Sequence, residues 1–203
     1  MATSSRILWL DTVDSTNSVL AGHISELDNL SVVAARFQTA GRGQGDHKWH
    51  SRAGENLTFS VLLRYGPETA PLAAADALVI TWTVSLALRR FLAGMGLAAR
   101  IKWHNDIYVG DRKIAGMLIE NKLEGQMIVR SIVGIGLNVN QTDFPADLPN
   151  PTSLSLQTGK KYDTEKTLEA LLPFLEEAFS QSSTPEGRVV LREEFEKYLF
   201  YKV

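Results

Sequence analysis

Arg100-Ile101-Lys102-Trp103-His104-Asn105-Asp106-Ile107-Tyr108-Val109-Gly110-Asp111, running on into Lys113-Ile114-Ala115-Gly116-Met117-Leu118-Ile119-Glu120, holds three strand-like runs with almost nothing between them. β-branched and aromatic residues fill the runs, and Gly110-Asp111 is a turn signal. Leu123-Glu124-Gly125-Gln126 turns the chain again, into the apolar run from Met127 to Asn140. Strands joined by links this short lie antiparallel, because a parallel crossover needs a dozen or more residues. The stretch therefore predicts a meander, and with helices packed on it an α+β fold built on a mixed, largely antiparallel sheet.

Upstream, Pro71 opens a long apolar segment through Leu72, Ala75, Leu78, Val79, Trp82, Leu86 and Leu88 to Leu92, closing at Gly94 and Gly96. Its apolar residues are not confined to one stripe, which predicts a helix in the core against the sheet, with Trp82 as packing. Before it, Leu57 to Leu63 and Ser31 to Gln38 are strand-like, and Ile7-Leu8-Trp9-Leu10 is a short opening strand. Asp14-Ser15-Thr16-Asn17 precedes Val19, Leu20, Ile24 and Leu27 at helical spacing, so Ser15 is expected to cap a helix. Downstream, Thr152-Ser153-Leu154 is expected to cap a short turn. An amphipathic helix starts at Thr164 and carries Pro173; Ser182 to Pro185 is expected as a linker, with a last helix from Arg188 to Leu199.

At 203 residues, 44% hydrophobic and 22% charged, the chain fits one large domain, or one domain with a small appendage. A net charge of −2 gives no overall basic field, so nucleic acid is not expected as a partner and any cationic site must be local. With no cysteine there is neither a disulfide framework nor a thiolate metal site. Met1 to Arg6 lacks a signal-like apolar run, and no later stretch reads as a membrane span. Together these predict a cytoplasmic protein with no membrane partner.

Between the strands ending at Gln38 and beginning at Leu57 lies Thr39-Ala40-Gly41-Arg42-Gly43-Gln44-Gly45-Asp46-His47-Lys48-Trp49. Glycines on alternate positions let backbone N–H groups turn toward an anion, although a mobile hairpin tip has the same composition. The dinucleotide fingerprint needs a helix after its glycines and the P-loop needs Gly-Lys-Ser/Thr; neither is present. Lys102, Asn105, Asp106, Lys113 and Asn138 abut dense apolar runs, where charge is costly without partners. Each alone would pass for a solvated sheet edge. Together with Arg42 and Lys48 they describe a site for negative charge, such as a carboxylate beside a phosphate. His47 and His50 lack a third ligand spaced for zinc, so no metal site is expected from the protein alone, and no Gly-x-Ser-x-Gly elbow is present.

Asp14-Ser15-Thr16-Asn17, Gln38-Thr39-Ala40-Gly41-Arg42-Gly43 closing on Trp49, Lys102-Trp103-x-Asn105-Asp106, Lys113-Ile114-Ala115-Gly116 and Gly134-Ile135-Gly136-Leu137-Asn138-Val139 occur in the order found in biotin–protein ligases, which the chain resembles from Asp14 to about Asn140. The resemblance implies a catalytic domain like that of class II aminoacyl-tRNA synthetases. It further implies biotin and ATP as substrates, Mg²⁺ as helper, biotinyl-5′-AMP as intermediate, and a lysine of a biotin carboxyl carrier protein as acceptor. By the same resemblance Ser15, Thr16, Asn17, Gln38, Arg42, Gly43, Gln44, Lys113 and Gly116 would meet biotin. Arg42, Trp49, Lys102, Asn105, Lys113 and Asn138 would lie on the nucleotide side, and Asp106 would orient the incoming lysine or a metal. The catalytic set would be Lys113, Arg42 and Asp106.

Three departures from that pattern stand out. His104 replaces the usual proline between Trp103 and Asn105, and the glycine loop carries fewer arginines, which leaves Arg42, Lys113 and backbone groups to hold the anion. No helix-turn-helix precedes Ile7, and the chain stops near Tyr198-Leu199-Phe200-Tyr201-Lys202-Val203, where relatives add an SH3-like domain. The expected organisation is thus a catalytic domain over residues 1–185 and, over 186–203, a C-terminal helix leading to a truncated or absent SH3-like domain. A homodimer through sheet pairing would use the strands from Lys113 to Asn140 as edges. Two other readings remain open: a lipoate–protein ligase relative, and a non-catalytic biotin-binding protein. An octanoyltransferase would need a cysteine that the chain lacks.

Overall fold

The computed structural model describes residues 7–45, 47–66 and 69–200; Asp46 of the glycine loop and Tyr201-Lys202-Val203 at the end of the expected C-terminal segment fall outside that range. Eight strands form one sheet: β1 (Ile7–Val13), β2 (Val32–Gln38), β3 (Leu57–Arg64), β4 (Ala99–Lys102), β5 (Asp106–Val109), β6 (Arg112–Glu124), β7 (Met127–Leu137) and β8 (Leu199–Phe200). Their spatial order is β1-β2-β3-β7-β6-β5-β4-β8. Only β1 with β2 and β4 with β8 are parallel, so the sheet is mixed and largely antiparallel as the meander predicts.

Helices α2 (Leu78–Gly94), α4 (Thr164–Ser182) and α5 (Pro185–Tyr198) contribute to the main hydrophobic core together with the sheet, and between β7 and α4 in the chain lies the short α3 (Leu154–Thr158), capped by Ser153, whose Oγ accepts from Leu156 N–H. A smaller cluster of Leu20, Val33, Leu62 and Ile132 seats the short α1 (Thr16–Gly22). Helix α2 is buried on most sides, as its continuous apolar sequence requires. It ends in a Schellman motif: Gly96 takes φ +81°, Leu97 N–H donates to Leu92 O at 3.0 Å and Gly96 N–H to Ala93 O at 2.9 Å. Each fully buried leucine here, such as Leu86 or Leu88, contributes about 1.5–3 kcal/mol by leaving water.

The structure corrects several sequence expectations. Pro71 does not open α2. Leu72 O accepts from Ile128 N–H and Ala74 N–H donates to Gln126 O, so this stretch lies along the β6–β7 turn, and a single 3₁₀ turn at Ala74–Asp76 precedes the helix. By length and hydropathy Ala74–Gly94 does qualify as a membrane span; most of it is buried within the fold, which is how a core helix passes the same test. The expected linker before the last helix is a cap: Thr184 Oγ1 accepts from Gly187 N–H and Pro185 sits at the first helical position. Leu191 and Phe195 of α5 belong to the main core, so α5 packs with the helices before residue 185. Strand β7, expected as a dimer edge, is interior, flanked by β3 and β6; β6 is covered by β5 only over residues 112–116, so beyond Met117 it has a strand neighbour on the β7 side alone among the described residues, and the outermost strands of the sheet are β1 and β8. Pro173 leaves α4 assigned as one helix from Thr164 to Ser182.

Candidate active site

Strand register builds the site. Direct cross-strand partners share a face, and the pairs Thr58 with Gly136, Gly136 with Gly116, Gly116 with Asp106, and Asp106 with Lys102 form one row across β3, β7, β6, β5 and β4. In the next row Ser60 pairs with Gly134 and Gly134 with Leu118. Three glycines in two rows remove the side chains that would fill this face. The space above is occupied by others: a Cβ on Gly136 would lie 2.6 Å from Trp49 Nε1, and one on Gly116 would lie 3.2 Å from both Trp49 Cζ3 and Lys113 Cε and 3.3 Å from Asp106 Oδ1.

Lys113 faces this floor because of a bulge. Ile107 pairs with Ala115 but Tyr108 with Lys113, so β6 carries one extra residue, and Lys113 comes round to the same face as Gly116 three positions on. The chain after β7 fixes it further, with Lys113 N–H donating to Asn150 O at 2.8 Å and Thr152 N–H to Lys113 O at 2.9 Å. Lys113 Nζ lies 2.7 Å from Asp106 Oδ1 and 5.8 Å from the centre of the Trp49 ring.

At the other end, Gln38 on β2 caps α1. Its Oε1 accepts from Thr16 N–H at 2.8 Å and Thr16 Oγ1 at 3.1 Å. Ser15 occupies the N-cap position with extended backbone, yet its side chain makes no capping bond, and its N–H donates to Asp14 Oδ1. Ser60, fully buried in β3, donates to Asn17 Oδ1 at 2.5 Å and lies 2.7 Å from Thr16 Oγ1. Between the two ends the glycine loop closes on itself: Trp49 N–H donates to Gly41 O at 3.0 Å, Gly43 N–H to His47 O at 2.8 Å, and Arg42 bridges Lys48.

These groups surround one cavity of about 580 Å³. All of the sequence-nominated residues line it: Ser15, Thr16, Asn17, Gln38, Arg42, Gly43, Gln44, Trp49, Lys102, Asn105, Asp106, Lys113, Gly116 and Asn138. Several are engaged differently from what was expected. Arg42 is not a bare cation; it makes two hydrogen bonds to Glu120, at 3.0 and 3.1 Å, just as Lys113 is paired with Asp106. Lys102 makes no ion pair among the described residues and stands 5.3 Å from the Tyr108 ring. Asn105 spends its amide N–H on Met117 O at 2.8 Å, which ties the start of β5 to β6. Asn138 donates to Thr152 O at 2.9 Å, while its Oδ1, like Trp49 Nε1, is buried without a hydrogen-bond partner among the described residues.

Sequence reasoning missed Glu120, Ser60 and the wall formed by Phe144, Leu148 and Pro151. Ser60 was detectable as a hydroxyl inside an apolar run. Glu120 looked like the polar end of a strand.

The sequence matches the Biotin/lipoate A/B protein ligase family over residues 9–138. It is 35% identical over 184 residues to the bifunctional ligase/repressor BirA of Bacillus spizizenii, covering 88% of this chain and 55% of that protein. It is 36% identical over 171 residues to the biotin–[acetyl-CoA-carboxylase] ligase of Paracoccus denitrificans, covering 81% and 69%. The chain spans about half the length of its bifunctional ligase/repressor relatives. Among solved structures, the biotin protein ligase of Aquifex aeolicus in complex with biotin and ATP superposes with a TM-score of 0.77 at 30% identity, over 98% of this chain and 80% of that one. The Leishmania major enzyme in complex with biotin gives 0.78 at 26%, over 98% and 84%. On its motifs, its sheet order and these matches, the chain belongs to the biotin/lipoate A/B protein ligase family.

Proposed function

We propose that this chain is the catalytic unit of a biotin–protein ligase, which joins biotin to ATP as biotinyl-5′-AMP and passes the biotinyl group to a lysine of a biotin carboxyl carrier protein. The observation that carries this is the elongated, two-ended cavity. From Gln38 on β2 to Lys102 on β4 its floor crosses five strand spacings, roughly 24 Å at ~4.8 Å each. That length suits an acyl-adenylate, with neutral hydrogen-bonding groups at one end and lysines beside an indole at the other.

In this reading Ser15, Thr16, Asn17 and Gln38 offer donors and acceptors to the ureido ring, while Arg42, Gly43 and Gln44 wrap the ligand. Biotin's carboxylate oxygen attacks the α-phosphorus, the new C–O–P link forms, and the bond to pyrophosphate breaks. Lys113, held in place by Asp106 and the strand bulge, offsets the repulsion of the two anions, and Trp49 gives adenine a flat apolar wall. Lys102, Asn105 and Asn138 complete the nucleotide side. In the second step the carrier lysine's nitrogen attacks the acyl carbon and AMP leaves; Asp106 is positioned to orient that amine. Among the described residues no three His, Cys, Asp or Glu side chains meet as a metal cage. The residues fit a Mg²⁺ that arrives on the ATP phosphates, with Asp106 the carboxylate that would hold it, as such ions are usually bound.

The Aquifex aeolicus enzyme is solved with biotin and ATP, and the Leishmania major enzyme with biotin and with biotinyl-5-AMP, which supports both substrates. ATP–pyrophosphate exchange measured with biotin and with lipoate tests the proposal, followed by transfer to a carrier domain. Exchange with biotin is the expected result. Exchange with lipoate alone, or with neither, refutes it.

A further inference from the structure

We propose that Glu120 is a positioning residue of this site: its carboxylate joins Arg42 of the glycine loop to Asn17 of α1 and so holds Arg42 in place at the cavity. The inference rests on the ligase reading above only for its kinetic arm. Glu120 does not line the cavity, so it acts through its partners. Arg42 Nη1 and Nη2 donate to its two oxygens at 3.0 and 3.1 Å, and Asn17 Nδ2 donates to Oε2 at 2.6 Å.

The arrangement is built from the sheet outward. Asn17 is 2% exposed, and its Oδ1 occupies the space a Cβ on Gly134 would take. Ser60, from the strand beside Gly134, donates to that same oxygen. With Oδ1 accepting, the amide nitrogen of Asn17 must face Glu120, so the carboxylate is fixed from the buried side before Arg42 reaches it. Glu120 shares its strand face with Leu118 and Gly116, two and four positions earlier, which puts the anchor on the cavity side of β6. Both charged side chains are 40–50% exposed (45% and 41%), so the pair contributes little to global stability and acts on the loop's local equilibrium.

The test uses Glu120→Gln, an isosteric change that places an NH₂ group against the donors of Arg42 or Asn17, with Glu120→Asp as the conservative variant. Tryptic cleavage after Arg42 and Lys48 in the substrate-free full chain reads the loop directly. Steady-state exchange reads KM for biotin against kcat. Glu120→Gln is expected to speed cleavage and raise KM for biotin, each about fivefold, the scale of a half-exposed ion pair. Melting temperature and kcat are expected to stay near the parent's, and Glu120→Asp is expected to fall between the two. Unchanged cleavage and unchanged KM overturn the proposal. So does a lowered KM, which would make Glu120 a competitor of the substrate. If the parent shows no exchange, the ligase reading fails by itself, and the cleavage rates still decide the role of Glu120.

Discussion

Filling the glycine floor tests whether those absent side chains create the site. A methyl group added at Gly136 would lie 2.6 Å from Trp49 Nε1, and closer still to Cε2 and Cζ2. Carbon contacts relax at about 3.5–4.0 Å, so the indole must retreat by roughly 1 Å or more. Because three atoms of one rigid ring overlap, a small rotation cannot clear them. The ring is also anchored at its own backbone, where Trp49 N–H bonds Gly41 O; a Cβ at Gly41 would already be 3.5 Å from Trp49 C and closer to its carbonyl oxygen. Displacement therefore passes to the base of the loop that carries Arg42. If the ring stays packed, overpacking costs about 1–3 kcal/mol. In a protein of this size that is about 2–4 °C of melting temperature per kcal/mol. If the ring swings out, stability holds and the nucleotide side loses its wall. Gly136→Ala is thus expected to lower either the melting temperature or the exchange rate, and to alter tryptophan fluorescence. Thermal unfolding monitored by circular dichroism, run beside ATP–pyrophosphate exchange, separates the two routes. A variant with the parent's melting temperature, emission and exchange rate would refute the reasoning.

Lys113→Ala is expected to cut adenylation about 10²–10³-fold, as for loss of one preorganised charge-stabilising group, with the fold intact; near-normal pyrophosphate release would remove Lys113 from its proposed role. Gly187→Ala puts a Cβ into Gln181 O and within 2.9 Å of Gln181 Cα at the α4–α5 turn. It should cost about 1–3 kcal/mol in urea unfolding, and a parent-like midpoint would show that the turn yields. Burial pushes the Tyr65 phenol well above its usual value of 10.0, partly offset by the nearby Arg188 guanidinium. The folded protein therefore holds that proton more tightly than the unfolded chain, and stability falls as pH rises past about 10. Tyr65→Phe, which also removes a buried hydroxyl lacking a hydrogen-bond partner among the described residues, should flatten the alkaline limb of stability against pH and hold or raise stability at neutral pH. An unchanged alkaline slope would count against it.

The sequence by itself determined the local pieces. Strand-like apolar runs closed by Gly110-Asp111 and Gly125-Gln126 specify β5, β6 and β7 as a meander, because turns that short permit only antiparallel return. Five motifs shared in order with biotin–protein ligases named the cavity residues, and residue type alone marked only the polar groups abutting the apolar runs. Tertiary structure decided how those pieces meet. That β7 is interior depends on β3, some seventy residues upstream, closing its flank, and no local pattern encodes a neighbour drawn from so far away. The side of the sheet that Lys113 faces depends on one extra residue opposite Ile107 and Tyr108, and a strand's two faces exchange with every single-residue shift of register. Glu120 is a solvated strand end in the sequence and an anchor in the fold. Only packing brings Asn17 and Arg42, from two separate segments, onto the same carboxylate.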